Sequence, residues 1–299
     1  MAKSQQQLLQ IAIEKGDLKG LKKILDQGVD LNDTLGNGQL PLTVAVSADN
    51  EQIVSALLDA GADPRGKNKL GMTALQYVSS PEVAALLLAA GADLNAVDNY
   101  GGNALSSIAS NGDAAMVKWL LSQGAREGPT DSEGDTALHR ACLEANPKVV
   151  AALLEGGVNP NTRNENGATP LVYVAGRKGQ ASVKIIMLLL HAGADPNAQT
   201  DDGCFPLYVA ATESSPAAIE ALLAGGATLD SDEGCGETAL AAAVYNGKAD
   251  TAAALLKAGA NPNARISPTH EDPGRRGKSV LELAAASRSA AIRALFKSR

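Results

Sequence analysis

The stretch GDTALHRACLEANPKVVAALLEGGVNPN, Gly134 to Asn161, decides the fold. Ala137, Leu138, Ala141 and Cys142 recur at helical spacing behind Thr136, a residue suited to capping a helix N-terminus. After a turn, Val149, Val150, Leu153 and Leu154 form a second apolar stripe, and Gly157 supplies a left-handed stop. Two helices this short cannot bury their stripes alone, so copies must stack and share one core.

The copies are present. GVDLN at Gly28, GADPR at Gly61, GADLN at Gly91, GAREG at Gly124, GVNPN at Gly157, GADPN at Gly193, GATLD at Gly226 and GANPN at Gly259 are separated by 33, 30, 33, 33, 36, 33 and 33 residues. A second glycine follows ten residues after each of the first seven, at Gly38, Gly71, Gly101, Gly134, Gly167, Gly203 and Gly236, and eighteen after the last, at Gly277. The final connection therefore carries eight extra residues. These connections, rich in Gly, Asn, Asp and Pro, read as turns or hairpin fingers. The unit from Gly71 lacks three residues within YVSSPEVAA and the unit from Gly167 gains three within GRKGQASVK. Both changes fall between the helices, where the turns are expected to absorb them.

The segments GATPLVYVA at Gly167, GDTALHRAC at Gly134, GETALAAAV at Gly236, GMTALQYVS at Gly71 and GQLPLTVAV at Gly38 resemble the ankyrin repeat family, whose pattern is Gly-x-Thr-Pro-Leu-His-x-Ala-Ala. The resemblance runs from about Leu8 to Phe296 and implies an all-α ankyrin-repeat solenoid of about nine stacked helix-turn-helix units with β-turn or hairpin fingers. As a single domain, 1–299, it would comprise an N-terminal capping repeat (1–33), seven internal repeats (34–266), an inserted finger loop (267–276) and a C-terminal capping repeat (277–299). It also implies no enzyme and no cofactor, but a module that binds another protein through a concave face and fingers, as an adaptor or inhibitor. At roughly 10 Å per helix layer the array would extend for roughly 80 to 90 Å. A narrower alternative is an immunity protein neutralising a cognate toxin or enzyme. Another is an effector exported into a host cell.

Composition narrows the classes. Apolar residues make up 45% of the chain but aromatics only 3%, so Ala, Leu, Val and Ile must build the interior. A net charge of −7 and a pI near 5.1 argue against nucleic acid as the partner. No apolar run is long enough to span a bilayer, and MAKSQQQLLQIAIEKGD lacks the apolar centre of a signal peptide. The expectation is a cytoplasmic monomer, or an effector exported without a Sec signal. Cys142 is expected in the core, while Cys204 and Cys235 are too scattered with it for a zinc site or a disulfide scaffold and are expected as free thiols.

Chemistry has little purchase. His139 fills a repeat position where the family resemblance implies hydrogen bonding with Thr136. His191 precedes a helix-ending glycine, and His270 lies in the inserted loop. The run EDPGRRGKSVLELAAA, Glu271 to Ala286, contains Gly277-Lys278-Ser279, the end of a phosphate-loop motif. Such a loop needs a first glycine where Asp272 stands, so Gly277 reads as the repeat glycine instead. The rival class, a nucleotide binder or enzyme built on this loop, rests on Lys278.

Candidate partner contacts follow from register. Tyr77, Arg140 and Tyr173 share one outward position of the first helices, with Ser107 between. Tyr100 and Leu70 sit at finger tips, and Tyr208 and Tyr245 lie further along. Tyr and Arg are enriched in binding hot spots. Trp119 belongs to a second-helix stripe and is expected in the core. Along the fingers, basic Arg65, Lys67 and Lys69 give way to Asp131, Glu133, Asp135, Glu165, Asp201, Asp202, Asp230, Asp232, Glu233 and Glu237. Arg265, Arg275 and Arg276 then restore positive charge. A partner with a basic patch fits the acidic stretch.

Overall fold

The computed structural model describes residues 4–128, 131, 133–213, 215–231 and 236–297. By packing, the chain divides into two compact units, Met1–Ser132 and Glu133–Arg299. In the first, α1 (Gln5–Glu14) pairs with α2 (Leu18–Leu25), and α3 (Pro41–Ser47) with α4 (Glu51–Asp59). A single 3-10 turn (Ala74–Tyr77) precedes α5 (Pro81–Ala89), and α6 (Ala104–Asn111) pairs with α7 (Ala114–Ser122). In the second, the pairs are α8 (Ala137–Leu143) with α9 (Pro147–Glu155), α10 (Pro170–Ala175) with α11 (Gln180–His191), and α12 (Pro206–Glu213) with α13 (Pro216–Ala224). Two more follow, α14 (Ala239–Tyr245) with α15 (Ala249–Lys257) and α16 (Val280–Ala286) with α17 (Ala290–Phe296). None of these helices is long and apolar enough to cross a membrane.

Within each unit, first helices stack on first helices and second helices on second helices. The shared core is aliphatic. In the second unit Leu138, Leu153, Leu171, Leu189, Leu207, Leu222, Leu240 and Leu255 are all fully buried, each position worth about 1.5–3 kcal/mol. Alanine fills the closest approaches: Ala239, Ala241, Ala242 and Ala243 of α14 are buried between its neighbours. Cys142 is buried in α8 as expected, whereas Trp119, expected in the core, is half-buried on α7. Cys204 is half-buried, and Cys235 lies outside the described residues.

The repeat glycines hold the left-handed conformation that closes a helix without a Cβ clash. Gly157 after α9 has φ 82° and Gly277 before α16 has φ 67°, which identifies Gly277 as the last member of the series. Several first helices start on capping boxes in which the third residue varies. Thr136 pairs with His139, Thr73 with Gln76, Asn103 with Ser106 and Ser279 with Glu282. His139 Nε2 then donates to the Ala168 carbonyl at 3.0 Å, and Gln76 Nε2 reaches the equivalent Gly102 carbonyl at 3.3 Å. Glutamine thus replaces histidine in the bond between repeats.

The irregular unit lengths are absorbed by helices, not by turns. Removal of three residues leaves the first helix of the Gly71 unit as a 3-10 turn that ends at an extended Val78. The three residues gained in the Gly167 unit are added to the start of α11, which has 12 residues where α9 and α13 have 9. Of the two forms expected for the fingers, the described residues adopt turns, and an isolated backbone bridge joins Arg265 and Ser279.

Candidate functional site

Three fingers are fixed by the residue three positions before the repeat glycine. Asn68 Oδ1 accepts from the N–H groups of Leu70 and Met72 at 2.9 and 3.1 Å. Asp98 Oδ1 does so from Tyr100 and Gly102 at 2.8 and 2.9 Å, and Asn164 Oδ1 from Asn166 and Ala168 at 3.1 and 2.9 Å. This side chain mimics the backbone of a turn and stiffens the finger from within. Asp131 occupies the same place by register and is half-buried.

Adjacent fingers are then bridged through the backbone. Asn99 N–H donates to Leu70 C=O at 3.0 Å, Glu165 N–H to Glu133 C=O at 2.9 Å, Asp201 N–H to Asn166 C=O at 3.0 Å and Ser267 N–H to Gly236 C=O at 2.7 Å. Because the main chain makes these links, the tip side chains just before the repeat glycines project outward. Leu70, Tyr100, Glu133, Asn166, Asp202 and Arg276 are all exposed, Tyr100 by 65%. In the Met1–Ser132 unit the first tip, Asn37, is polar, whereas Leu70 and Tyr100 are apolar, and Val97 is exposed as well. In the Glu133–Arg299 unit Glu133 and Asp202 are acidic, Asn166 is neutral and Arg276 is basic.

The tyrosines of the first helices serve the framework. Tyr77 OH accepts from Asn68 Nδ2 at 3.2 Å, and that nitrogen also reaches Gln39 Oε1 at 2.9 Å. The second unit repeats the construction with a charge: Tyr173 OH donates to Asp135 Oδ1 at 2.7 Å, and Asn164 Nδ2 meets both, at 2.8 and 3.0 Å. Tyr77, Tyr173 and Arg140 are half-buried, and Asp135 is 3% exposed. Tyr208, half-buried, donates to Glu237, which is fully buried. Asp135 and Glu237 both follow a repeat glycine and face the next finger, not solvent. Of the other sequence candidates, Glu133, Asp201, Asp202, Tyr245 and Arg276 are exposed, Asp201 in an ion pair with Arg163 at 3.1 Å. Glu233 and Asp232 lie outside the described residues.

The basic patch is partly structural as well. Arg65 Nε donates to the Gly91 carbonyl at 2.7 Å and Lys67 Nζ to the Val97 carbonyl at 2.8 Å. Arg65 stands where most units carry the Asn of Gly-x-x-x-Asn, a residue that sequence reasoning left without a role. Asn161 shows it: Oδ1 accepts from Asp195 N–H at 2.7 Å while Nδ2 donates to Gly193 C=O at 2.9 Å. Asn197 repeats the same pair of bonds to Thr228 and Gly226 at 2.7 and 3.2 Å. The signal was the recurrence of Asn at a fixed offset from the glycine.

The inserted loop packs on the last repeats. Arg275 Nη1 lies 2.5 Å from Glu237 Oε1 and its Nε 3.1 Å from Asp272 Oδ2, with the guanidinium carbon 3.4 Å above the ring of Tyr245. Burial, the largest single effect, pulls the Arg275 pKa down, but the Glu237 charge together with Tyr245 and Tyr208 outweighs it and holds the group above its usual value. Asp272 is held below the usual carboxylate range, chiefly by the Gly274 N–H and then by the Tyr245 hydroxyl. The N–H groups that a phosphate loop would offer are already used. Gly277 donates to Ile266 C=O, Lys278 to Arg275 C=O, Ser279 to Glu282 Oε2 and Val280 to Ala264 C=O, at 2.6–3.1 Å. Among the described residues no group of three or more His, Cys, Asp or Glu side chains is placed to hold a metal ion.

Comparison with known proteins agrees with this architecture. The family model for ankyrin repeats (3 copies) matches residues 9–98, 78–164, 105–200, 173–266 and 207–299. An ankyrin repeat protein of Pyrobaculum aerophilum is 41% identical over 63 residues, a stretch covering 21% of this chain and 23% of that protein. The crystal structure of the ankyrin repeat domain of Bcl-3, a member of the IkappaB protein family, is similar with a TM-score of 0.64 at 26% identity. That match covers 72% of this chain and 97% of the other.

Proposed function

The chain belongs to the ankyrin repeat family, and we propose that it binds a partner protein through its finger tips, as an adaptor or inhibitor. Ankyrin repeats are in general protein-interaction modules, and the observation that carries the reading here is the backbone bridging of the fingers. Glu165 N–H to Glu133 C=O and Asp201 N–H to Asn166 C=O lock neighbouring turns together. Their tip side chains stay exposed and pre-positioned, which lowers the ordering cost of association.

The tips differ in chemistry. In the Glu133–Arg299 unit Glu133, Glu165 and Asp202 are exposed, and they suit a partner with a basic patch. In the Met1–Ser132 unit Leu70, Val97 and Tyr100 offer apolar anchors. The commitment of the Gly277–Val280 N–H groups to internal bonds favours this reading over nucleotide binding.

Affinity capture on the immobilised chain, with proteins identified by mass spectrometry, tests it. A specific partner is expected on the wild type and lost from the variant Glu133→Gln, Glu165→Gln, Asp202→Asn at unchanged melting temperature. A partner retained equally by that variant and by Leu70→Ser, Tyr100→Ser overturns the assignment to the tips.

A further inference from the structure

Glu237 is the most unusual carboxylate in the chain. It is fully buried, and all its contacts fall on one oxygen: Oε1 takes the Tyr208 hydroxyl at 3.0 Å and Arg275 Nη1 at 2.5 Å, with His270 Nε2 at 3.9 Å. Oε2 is buried and, among the described residues, has no hydrogen-bond partner. A guanidinium meets a carboxylate best through two parallel N–H···O bonds, and a buried charge left half-satisfied is costly. Arg275 approaches through one nitrogen because its Nε is drawn to Asp272, which is itself held by the Gly274 N–H at 2.8 Å.

The components come from two sources. Tyr208 on α12, Glu237 before α14 and Tyr245 on α14 belong to the repeats, while Asp272 and Arg275 belong to the inserted loop. The repeats therefore provide an aromatic face and a buried carboxylate, and the insertion supplies the cation that fills them. We propose that the Tyr208–Glu237–Tyr245 socket recognises a guanidinium group on a partner protein, and that the inserted loop occupies it with Arg275 until a partner arginine takes its place. This rests on the reading that the chain binds a protein.

Exchange of one arginine for another leaves Glu237 neutralised throughout, so the cost is that of opening the loop. The loop is suited to open. Its base is held by the bonds Ile266 N–H to Lys278 C=O and Gly277 N–H to Ile266 C=O at 3.0 and 3.1 Å, around the buried Ile266. Beyond that base Thr269, Glu271, Pro273, Gly274 and Arg276 are exposed, so residues 268–276 can swing without unpacking α14 or α16. Arginine is preferred over lysine because only a planar fork can both stack on Tyr245 and span the two oxygens of Glu237.

The test is calorimetry on the full chain with N-acetyl-arginine-amide as probe. Arg275→Ala is expected to bind it saturably, at least tenfold tighter than the wild type and than N-acetyl-lysine-amide, and to lose the binding when Glu237→Gln is added. Failure of Arg275→Ala to bind, or equal binding by the double variant or by the lysine probe, overturns the proposal. Should Arg275→Ala not fold, Arg275→Met takes its place. Amide exchange on the wild type gives a second reading: saturating probe is expected to lower protection at 268–276, and unchanged protection overturns the proposal. A negative result here leaves the tip assignment standing, since Glu133, Glu165 and Asp202 lie outside the socket.

Discussion

Tyr173 donates its hydroxyl to the buried carboxylate of Asp135 at 2.7 Å, across 38 positions of sequence and from one repeat to the one before it. The bond is charge-assisted, whereas its counterpart in the other unit, Asn68 to Tyr77 OH at 3.2 Å, is neutral. Tyr173→Phe should therefore lower stability by about 1.5–3 kcal/mol and Tyr77→Phe by about 0.5–1.5 kcal/mol. Urea denaturation followed by circular dichroism measures both. Equal losses would mean that the charge on Asp135 adds nothing.

Ala145 has φ 53° at the turn between α8 and α9, where the corresponding residues Gly16, Gly112 and Gly247 have φ 64°, 83° and 68°. An L-residue costs roughly 1–2 kcal/mol there, while glycine adds unfolded-state entropy worth about 0.4–1 kcal/mol. Ala145→Gly is expected to raise stability by about 0.5–1 kcal/mol, read as a higher melting temperature. A lower one contradicts the strain.

Two glycines with similar backbones separate strain from packing. Gly61 has φ 94° and open space where a Cβ would stand, whereas at Gly71, φ 77°, an added Cβ meets the backbone nitrogen of Asn99 at 2.8 Å in the next finger. Gly61→Ala should cost about 1–2 kcal/mol and Gly71→Ala clearly more, since the finger bridge from Asn99 to Leu70 must also shift. Hydrogen exchange at Asn99 N–H distinguishes them: protection falls in Gly71→Ala and is kept in Gly61→Ala.

The Asp272 pKa is depressed in the folded loop, so its contribution is present above its unfolded value, 3.8, and is lost as pH falls through the lower folded value. The chemical shifts of Tyr245 and Arg275 should hold steady above about pH 4 and move together below it. Asp272→Asn should abolish that acid transition. A transition that persists in the variant belongs to another group.

Much of the fold was legible because a repeat states its physics several times over. The two glycine series, the apolar stripes and the cap at Thr136 each demand a particular backbone, and the structure has it. What was not legible depends on neighbours. The three residues gained near Gly176 sit as well in a helix as in a turn, and their addition to α11 is settled by packing. Asp135 and Glu237 look in sequence like any finger acid. Their burial follows from the position after the repeat glycine, which the next finger covers, as Asn164 covers Asp135. Tyr77 and Tyr173 likewise share one register, but only the Asn at the next offset reveals that their hydroxyls are held inside.

The most direct test of the central claim is a titration of the captured partner into the wild type and the variant Glu133→Gln, Glu165→Gln, Asp202→Asn. It is run by calorimetry at about 50 and about 300 mM salt. At the lower salt the account expects the variant to bind at least tenfold more weakly, and the wild-type advantage to shrink at the higher salt as screening removes the attraction of the tips. Equal affinity of the two proteins at both salt concentrations would contradict it.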